Sequence, residues 1–227
     1  MTRRHDSPGD EDGSGCACAC GNEFGADSAA RDLRAYRRNG PERTTRWLLE
    51  GLRGGPSGLV DGLTVLDIGA GVGAVHLELL QAGAASATDV DGSPAYVAVA
   101  REEAARQGVS DRVMHATGDF VELAPSIEPA DLVALDRVVC CYPDMRALVA
   151  LSVARARRRY GLVYPRDTWW IRTTSRVMNG LSRLFRRRLR FWVHRTLSVE
   201  AEITGAGLRR SYHRQALFWQ VAVFERA

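Results

Sequence analysis

The sequence predicts an α/β protein in three layers, a mostly parallel sheet with helices on both faces, and three observations carry that expectation. Residues 64–73 read T-V-L-D-I-G-A-G-V-G, an apolar strand running into glycines at alternate positions. From there to residue 164, short aliphatic runs alternate with helical patterns, as a parallel sheet wound by crossover helices requires. Two final runs, residues 208–214 and 217–224, are close enough in sequence to form an antiparallel pair at the sheet edge.

The 227 residues, 45% of them hydrophobic, suffice for one substantial core. All 31 basic residues are arginine. Thirteen of them fall within residues 155–195 against one acid, Asp167, so the formal charge of +4 conceals a local basic surface. No apolar run reaches the ~18 residues that span a bilayer, and the N-terminal residues lack the apolar centre of a secretion signal. A cytoplasmic protein is therefore expected. Five cysteines, an odd number, argue against a disulfide framework.

Residues 1–27 are rich in Gly, Ser, Asp and Glu and are expected to form a disordered leader. Its C-A-C-A-C run (Cys16, Cys18, Cys20) has affinity for soft metals, but the alternate spacing does not match the CxxC pairs of zinc sites, and no metal site is assigned. Residues 28–57 are expected to form a helical cap, with Asp27 or Ser28 as N-cap, Leu33, Tyr36, Trp47, Leu48 and Leu52 inward, and Gly40-Pro41 dividing it in two. Its charged stretch A-Y-R-R-N-G-P-E-R-T-T-R reads as a solvated face rather than a cleft wall.

Residues 58–227 form the sheet domain. Val65, Leu66 and Ile68 suit a strand buried on both faces, and Gly69, Gly71 and Gly73 turn the chain into a helix expected over residues 72–82. Such a corner lets backbone and a helix N-terminus approach a nucleotide. Gly69, Gly71 and Ala74 also satisfy the dinucleotide fingerprint G-x-G-x-x-G/A, so the turn alone leaves two cofactor classes open. Asp67 favours one. A buried carboxylate two residues before the first glycine repels a pyrophosphate but anchors an ammonium group, directly or through water, and S-adenosyl-L-methionine carries one. Alternatively Asp67 satisfies the backbone of the turn.

A second strand over residues 85–90 ends at Asp91-Gly92-Ser93-Pro94. Asp91, about twenty residues past the turn, is placed to accept from both ribose hydroxyls. Asp89 competes for that role, and Asp91 is preferred because Ser93-Pro94 starts a helix, over residues 95–107, behind it. The third strand, residues 113–117, leads to Asp119 and Phe120, which suit an adenine amino group and ring face; a helix N-cap is the other use of Asp119. The fourth, residues 131–135, exits through Asp136, Arg137, Cys140, Cys141 and Tyr142, all candidates for the ligand crevice. A helix capped by Asp144 and extending through Arg157 precedes a fifth strand over residues 160–164. Residues 168–195 interrupt the alternation with an amphipathic, arginine-rich insertion, suited to a lid over an apolar substrate, to peripheral contact with an anionic membrane, or to nucleic acid.

In their order, D-I-G-A-G-V-G, D-V-D-G-S-P, T-G-D-F and L-D-R-V-V-C-C-Y-P-D resemble the class I S-adenosylmethionine-dependent methyltransferases over residues 59–227. That resemblance implies a Rossmann-like seven-stranded methyltransferase sheet, parallel with one antiparallel strand near the edge. It places the methionine part of S-adenosyl-L-methionine at Asp67, Gly69 and Gly71, the ribose at Asp91, and the adenine at Asp119 and Phe120. L-D-R-V-V-C-C-Y-P together with D-L-R-A-Y-R-R-N-G-P is similar to bacterial relatives of magnesium-protoporphyrin O-methyltransferase, which implies a small-molecule acceptor of the tetrapyrrole type.

Methyl transfer from a sulfonium is an in-line displacement that needs alignment and water exclusion more than acid–base groups. Tyr142, Asp136 and Arg166 are the candidates at the reacting centre: Tyr142 or Asp136 to take a proton from a hydroxyl or amine, Arg166 or Arg137 to orient a carboxylate. The alternative function, a nucleic-acid methyltransferase or binding module using the insertion, is disfavoured because C-C-Y-P stands where amino-directed base methylation needs a D/NPPY-type tetrad.

Overall fold

The computed structural model describes residues 24–55, 58–184 and 190–227. Cys16, Cys18 and Cys20, and with them nearly all of the expected leader, lie outside the described residues.

Two helices open the described chain, α1 (Ala26–Asn39) and α2 (Arg43–Arg53). The N-cap of α1 is Gly25, not Asp27 or Ser28; Ser28 instead donates its hydroxyl back to the Gly25 carbonyl at 2.8 Å. There follow β1 (Thr64–Ile68), α3 (Ala74–Gln81), β2 (Ser86–Asp91), α4 (Pro94–Arg106), β3 (Val113–Thr117), α5 (Phe120–Leu123), β4 (Ala130–Asp136), α6 (Met145–Val153), β5 (Ala156–Pro165), α7 (Trp169–Leu184), α8 (Thr196–Gly205), β6 (Leu208–Gln215) and β7 (Trp219–Arg226). The sheet order is β3-β2-β1-β4-β5-β7-β6. β7 runs antiparallel to both neighbours and inserts between β5 and β6, while the other contacts are parallel.

Successive residues of the central strands feed opposite cores. Leu66, Val133 and Leu162 pack in one layer with α6 and α8, and Val65, Leu132 and Val163 in the other with α2 and α3. A sheet covered on both faces needs such unbroken apolar strands, which is why β1 and β4 stand out in the sequence.

Two boundaries differ from expectation. α3 starts at Ala74 because Gly73 is left-handed at φ +83°, so residues 72 and 73 belong to the turn. α6 stops at Val153, and residues 157–159 belong to β5. There Arg159 lies opposite Glu225 of β7 and bonds it at 3.1 Å, a cross-strand pair that arginine-rich local sequence does not advertise.

Candidate active site

A cavity of about 740 Å³ lies at the C-terminal ends of β1, β2 and β4, roofed by α1 and α2. Its floor is the glycine turn. Gly69 and Gly71 have φ of +63° and +60°; a Cβ on Gly69 would come within 2.5 Å of the Val138 side chain, whereas one on Gly71 would meet nothing nearer than 3.8 Å. The turn is thus tightly backed at Gly69 and open at Gly71, where a ligand has room to approach the backbone.

Asp91, at the end of β2, borders the cavity. Its carboxylate accepts from the Gly71 N–H at 2.9 Å and the Ser93 N–H at 2.8 Å, tying the second strand to the turn. Burial pushes its pKa up to about 6, against the help of those two bonds. Ser93 caps α4, whose Tyr96 gives its hydroxyl to Asp32 of α1 at 2.5 Å.

Asp119 and Phe120 also line the wall. The two uses considered for Asp119 meet there: it caps α5 through the Val121 N–H at 2.9 Å, and it accepts the Tyr142 hydroxyl at 2.9 and 3.0 Å. Asp136 and Tyr142 both face the cavity. Asp136 is engaged on both oxygens, by the Thr45 hydroxyl at 2.5 Å and by Arg137 Nε at 3.0 Å. Arg137 also reaches Glu42 at 2.7 Å. Burial opposes its charge, but Asp136 and Glu42 overcome that and push its pKa up.

Two expected site residues stand elsewhere. Asp67 does not border the cavity; it is buried beneath the turn, where it accepts from His76 Nδ1 at 2.9 Å and from the His76 backbone N–H at 3.2 Å. Burial pushes its pKa up, with His76 counteracting. Asp67 therefore anchors the first turn of α3, close to the alternative of satisfying local backbone. Arg166 also lies off the cavity, its Nη1 donating to the carbonyls of Ala216 and Leu217 at 3.3 and 3.5 Å in the β6–β7 connection.

The cap stretch expected to be solvated instead contributes Tyr36, Asn39, Glu42 and Thr45 to the cavity wall. Its charges are spent on contacts such as Arg137–Glu42, which only the folded neighbours reveal. Phe191 and Trp219 complete an apolar end; they belong to an edge-on aromatic group with Phe218 and Trp170 of α7. Phe191 falls within the insertion expected over residues 168–195, whereas sequence reasoning did not single out Trp219, which opens the last strand. A strap over residues 191–194 holds the wall down: the Trp192 N–H donates to the Cys140 carbonyl at 2.7 Å, and His194 Nε2 lies 3.1 Å from the Tyr142 carbonyl.

Residues 65–161 match the family model described as a methyltransferase domain. Magnesium protoporphyrin IX methyltransferase from Synechocystis PCC 6803 with bound SAH has a TM-score of 0.73 to this chain, at 19% identity, over 94% of this chain and 100% of that one. With bound SAM the values are 0.70, 18%, 94% and 98%. An O-methyltransferase family 2 protein from Planctomyces limnophilus in complex with apigenin gives 0.62 at 20% identity, over 89% and 62%. A 71-residue stretch is 34% identical to a curated Pyrobaculum aerophilum protein, described as a probable cobalt-precorrin-6B C(15)-methyltransferase (decarboxylating). That match covers 30% of this chain and 36% of the relative, so it spans about a third of the relative's length.

The sheet order, with the methyltransferase-domain match over residues 65–161, gives the fold of the class I S-adenosylmethionine-dependent methyltransferases. Within that class, the chain is similar in its whole architecture to the Synechocystis magnesium protoporphyrin IX methyltransferase.

Proposed function

We propose that this chain transfers the methyl group of S-adenosyl-L-methionine to a carboxylate oxygen of a bulky, largely apolar small molecule of the tetrapyrrole type. The observation that carries this is the continuity of one cavity, from the glycine turn and Asp91 to the aromatic end at Phe191 and Trp219. Its volume suits a donor and part of a large acceptor together.

The open space over Gly71 and the Asp91 carboxylate fit the donor. S-adenosyl-L-methionine supplies an electrophilic methyl on a positively charged sulfur. Asp91 is the group to hold the ribose hydroxyls, and Phe120 the one to pack the adenine. Asp119 fixes the Tyr142 hydroxyl, so that this ring stands rigidly between donor and acceptor ends. Asp136, with both oxygens engaged, holds the cap shut and excludes water instead of taking a proton. A carboxylate acceptor needs no base, which suits a wall whose acids are already hydrogen-bonded. Incubating the protein with labelled donor and dicarboxylic tetrapyrroles should yield a labelled methyl ester by mass spectrometry. Label found only in nucleic acid, or on an amine, would sink the proposal.

An observation on α7 favours a second element of this function, peripheral contact with an anionic membrane from which an apolar acceptor is taken. Trp169, Val177, Met178 and Leu181 are each more than half exposed along this helix, which contains no acid and carries Arg172 and Arg176. Leu217 is exposed in the connection whose Phe218 carbonyl accepts from the Arg166 N–H, close to where α7 begins. No described helix is long and apolar enough to cross a membrane. Flotation with phosphatidylglycerol vesicles should carry the protein upward, and phosphatidylcholine vesicles should not. Replacing Trp169, Val177 and Leu181 with serine should abolish flotation; flotation that survives it rules the surface out.

A further inference from the structure

The turn after β4 holds two adjacent thiols, Cys140 and Cys141, for which the methyl-transfer chemistry has no use. Both border the cavity. Cys140 Sγ donates to the Arg137 carbonyl at 3.2 Å, Cys141 Sγ lies 3.9 Å from the same oxygen, and the two sulfurs are 3.7 Å apart without a disulfide. Backbone holds them there. Arg137 is left-handed at φ +64°, the Cys141 N–H closes the turn on the Val138 carbonyl at 2.9 Å, and the Trp192 N–H fastens the Cys140 carbonyl from the strap.

A direct S–S bond suits this pair poorly. Neighbouring Cα atoms across a trans peptide are about 3.8 Å apart, inside the ~4.4 Å lower end for ordinary disulfides. One bridging atom removes that conflict. Sulfurs bound at ~2.3 Å to a common pyramidal centre, with an angle of about 100° between them, stand about 3.5 Å apart, close to the 3.7 Å already present. Among the described residues no group of three or more His, Cys, Asp or Glu side chains is arranged to hold a metal ion, so a centre content with two thiolates is required.

We propose that Cys140 and Cys141 form a dithiol site for a soft, thiophilic centre of low coordination number, with trivalent arsenicals of the type R–As=O as the ligand class. Two thiols condense with R–As=O to give R–As(S–Cys)₂ and one water. Two As–S bonds form, both thiol protons leave with the oxo group, and no atom changes oxidation state. The condensation consumes two neutral thiols overall; contact with Cys141 and burial push the Cys140 pKa up, which lowers the thiolate fraction that attacks and slows the step. The adduct would stand beside Tyr142 and obstruct the acceptor end, leaving Gly71 and Asp91 untouched. The site stands independently of the methyl acceptor's identity.

The probe is phenylarsine oxide, added to the full chain carrying Cys16→Ser, Cys18→Ser and Cys20→Ser. Intact-mass spectrometry should show one arsenical per chain with loss of one water. The adduct should survive a monothiol such as 2-mercaptoethanol and be stripped by dithiothreitol. Adding either Cys140→Ser or Cys141→Ser should abolish the monothiol-resistant adduct, with circular dichroism reporting that each variant is folded. Overturning results are no adduct on a folded protein in which N-ethylmaleimide does label these cysteines, or a resistant adduct that persists in either serine variant. Calorimetry of S-adenosyl-L-methionine binding to the adduct separates the two proposals: donor affinity is expected unchanged, and a protein that never binds donor leaves the arsenical result intact.

Discussion

Asp91 sets stability against binding. Its folded pKa of about 6 is raised above the ordinary 3.8 by burial, so its stabilising contribution is fully present below the ordinary value and is lost as pH rises through about 6. Holding it ionised at neutral pH costs the ligand-free fold on the order of 2 kcal/mol, since each pKa unit is worth ~1.4 kcal/mol and partial exposure trims the sum. Asp91→Asn should therefore melt higher than the native protein at pH 8, with the margin closing toward pH 4. The same change removes a charged hydrogen-bond acceptor, about 1.5–3 kcal/mol, and should weaken S-adenosyl-L-methionine binding roughly 10- to 100-fold in calorimetry. Native donor affinity should fall as pH drops below about 6. Sequence spacing alone brought Asp91 to notice, because a fixed distance from the turn determines its place. It did not reveal the partner of Asp67, His76, nine residues on: the pairing depends on α3 starting at Ala74, and so on the left-handed Gly73. Arg166 was legible as a strand-end residue, but the carbonyls that bind it arrive from residues 216 and 217.

At the scale of elements, strands were legible and the cap's role was not. The apolar runs of β1 and β4 follow from burial on both faces, and β5 was foreshortened because its first half carries three arginines, of which Arg159 pairs across to Glu225 of β7. What α2 does depends on how closely it lies on the sheet. A Cβ on Gly161 of β5 would stand 2.6 Å from Leu48 Cδ1 and 3.0 Å from Leu52 Cδ2, both side chains of α2 fully buried. The glycine exists for that approach, since its φ is not in the left-handed region. Gly161→Ala should lower stability by about 1–3 kcal/mol in denaturant unfolding. It should also displace Thr45 from Asp136, raising the KM for the acceptor more than the Kd for the donor. A variant with native stability would show that α2 rests on the sheet more loosely than these distances require.

In the whole molecule, one small network closes the cavity. Arg137 bonds Asp136 on its own strand end and Glu42 ahead of α2, and the Thr45 hydroxyl completes the ring to Asp136. The same residue carries the one left-handed backbone outside glycine among the described residues, at φ +64°. Such a conformation costs a side-chain-bearing residue about 1–2 kcal/mol, and it persists where the surroundings fix it, often beside a site. Two substitutions separate the cost from the use. Arg137→Ala loses the network and keeps the strained backbone, whereas Arg137→Gly loses the network and relieves the strain. The glycine variant should therefore be the more stable of the two by about 1 kcal/mol in thermal unfolding. Both should exchange the amide hydrogens of α1 and α2 faster than native to the same degree, with β1 and β4 unchanged, because the cap is released while the sheet keeps both its cores. Equal stability of the two variants would mean that backbone strain at residue 137 is not stored. Unchanged exchange in the cap would mean that the closure rests instead on the Tyr96–Asp32 and Arg37–Glu103 contacts between α4 and α1.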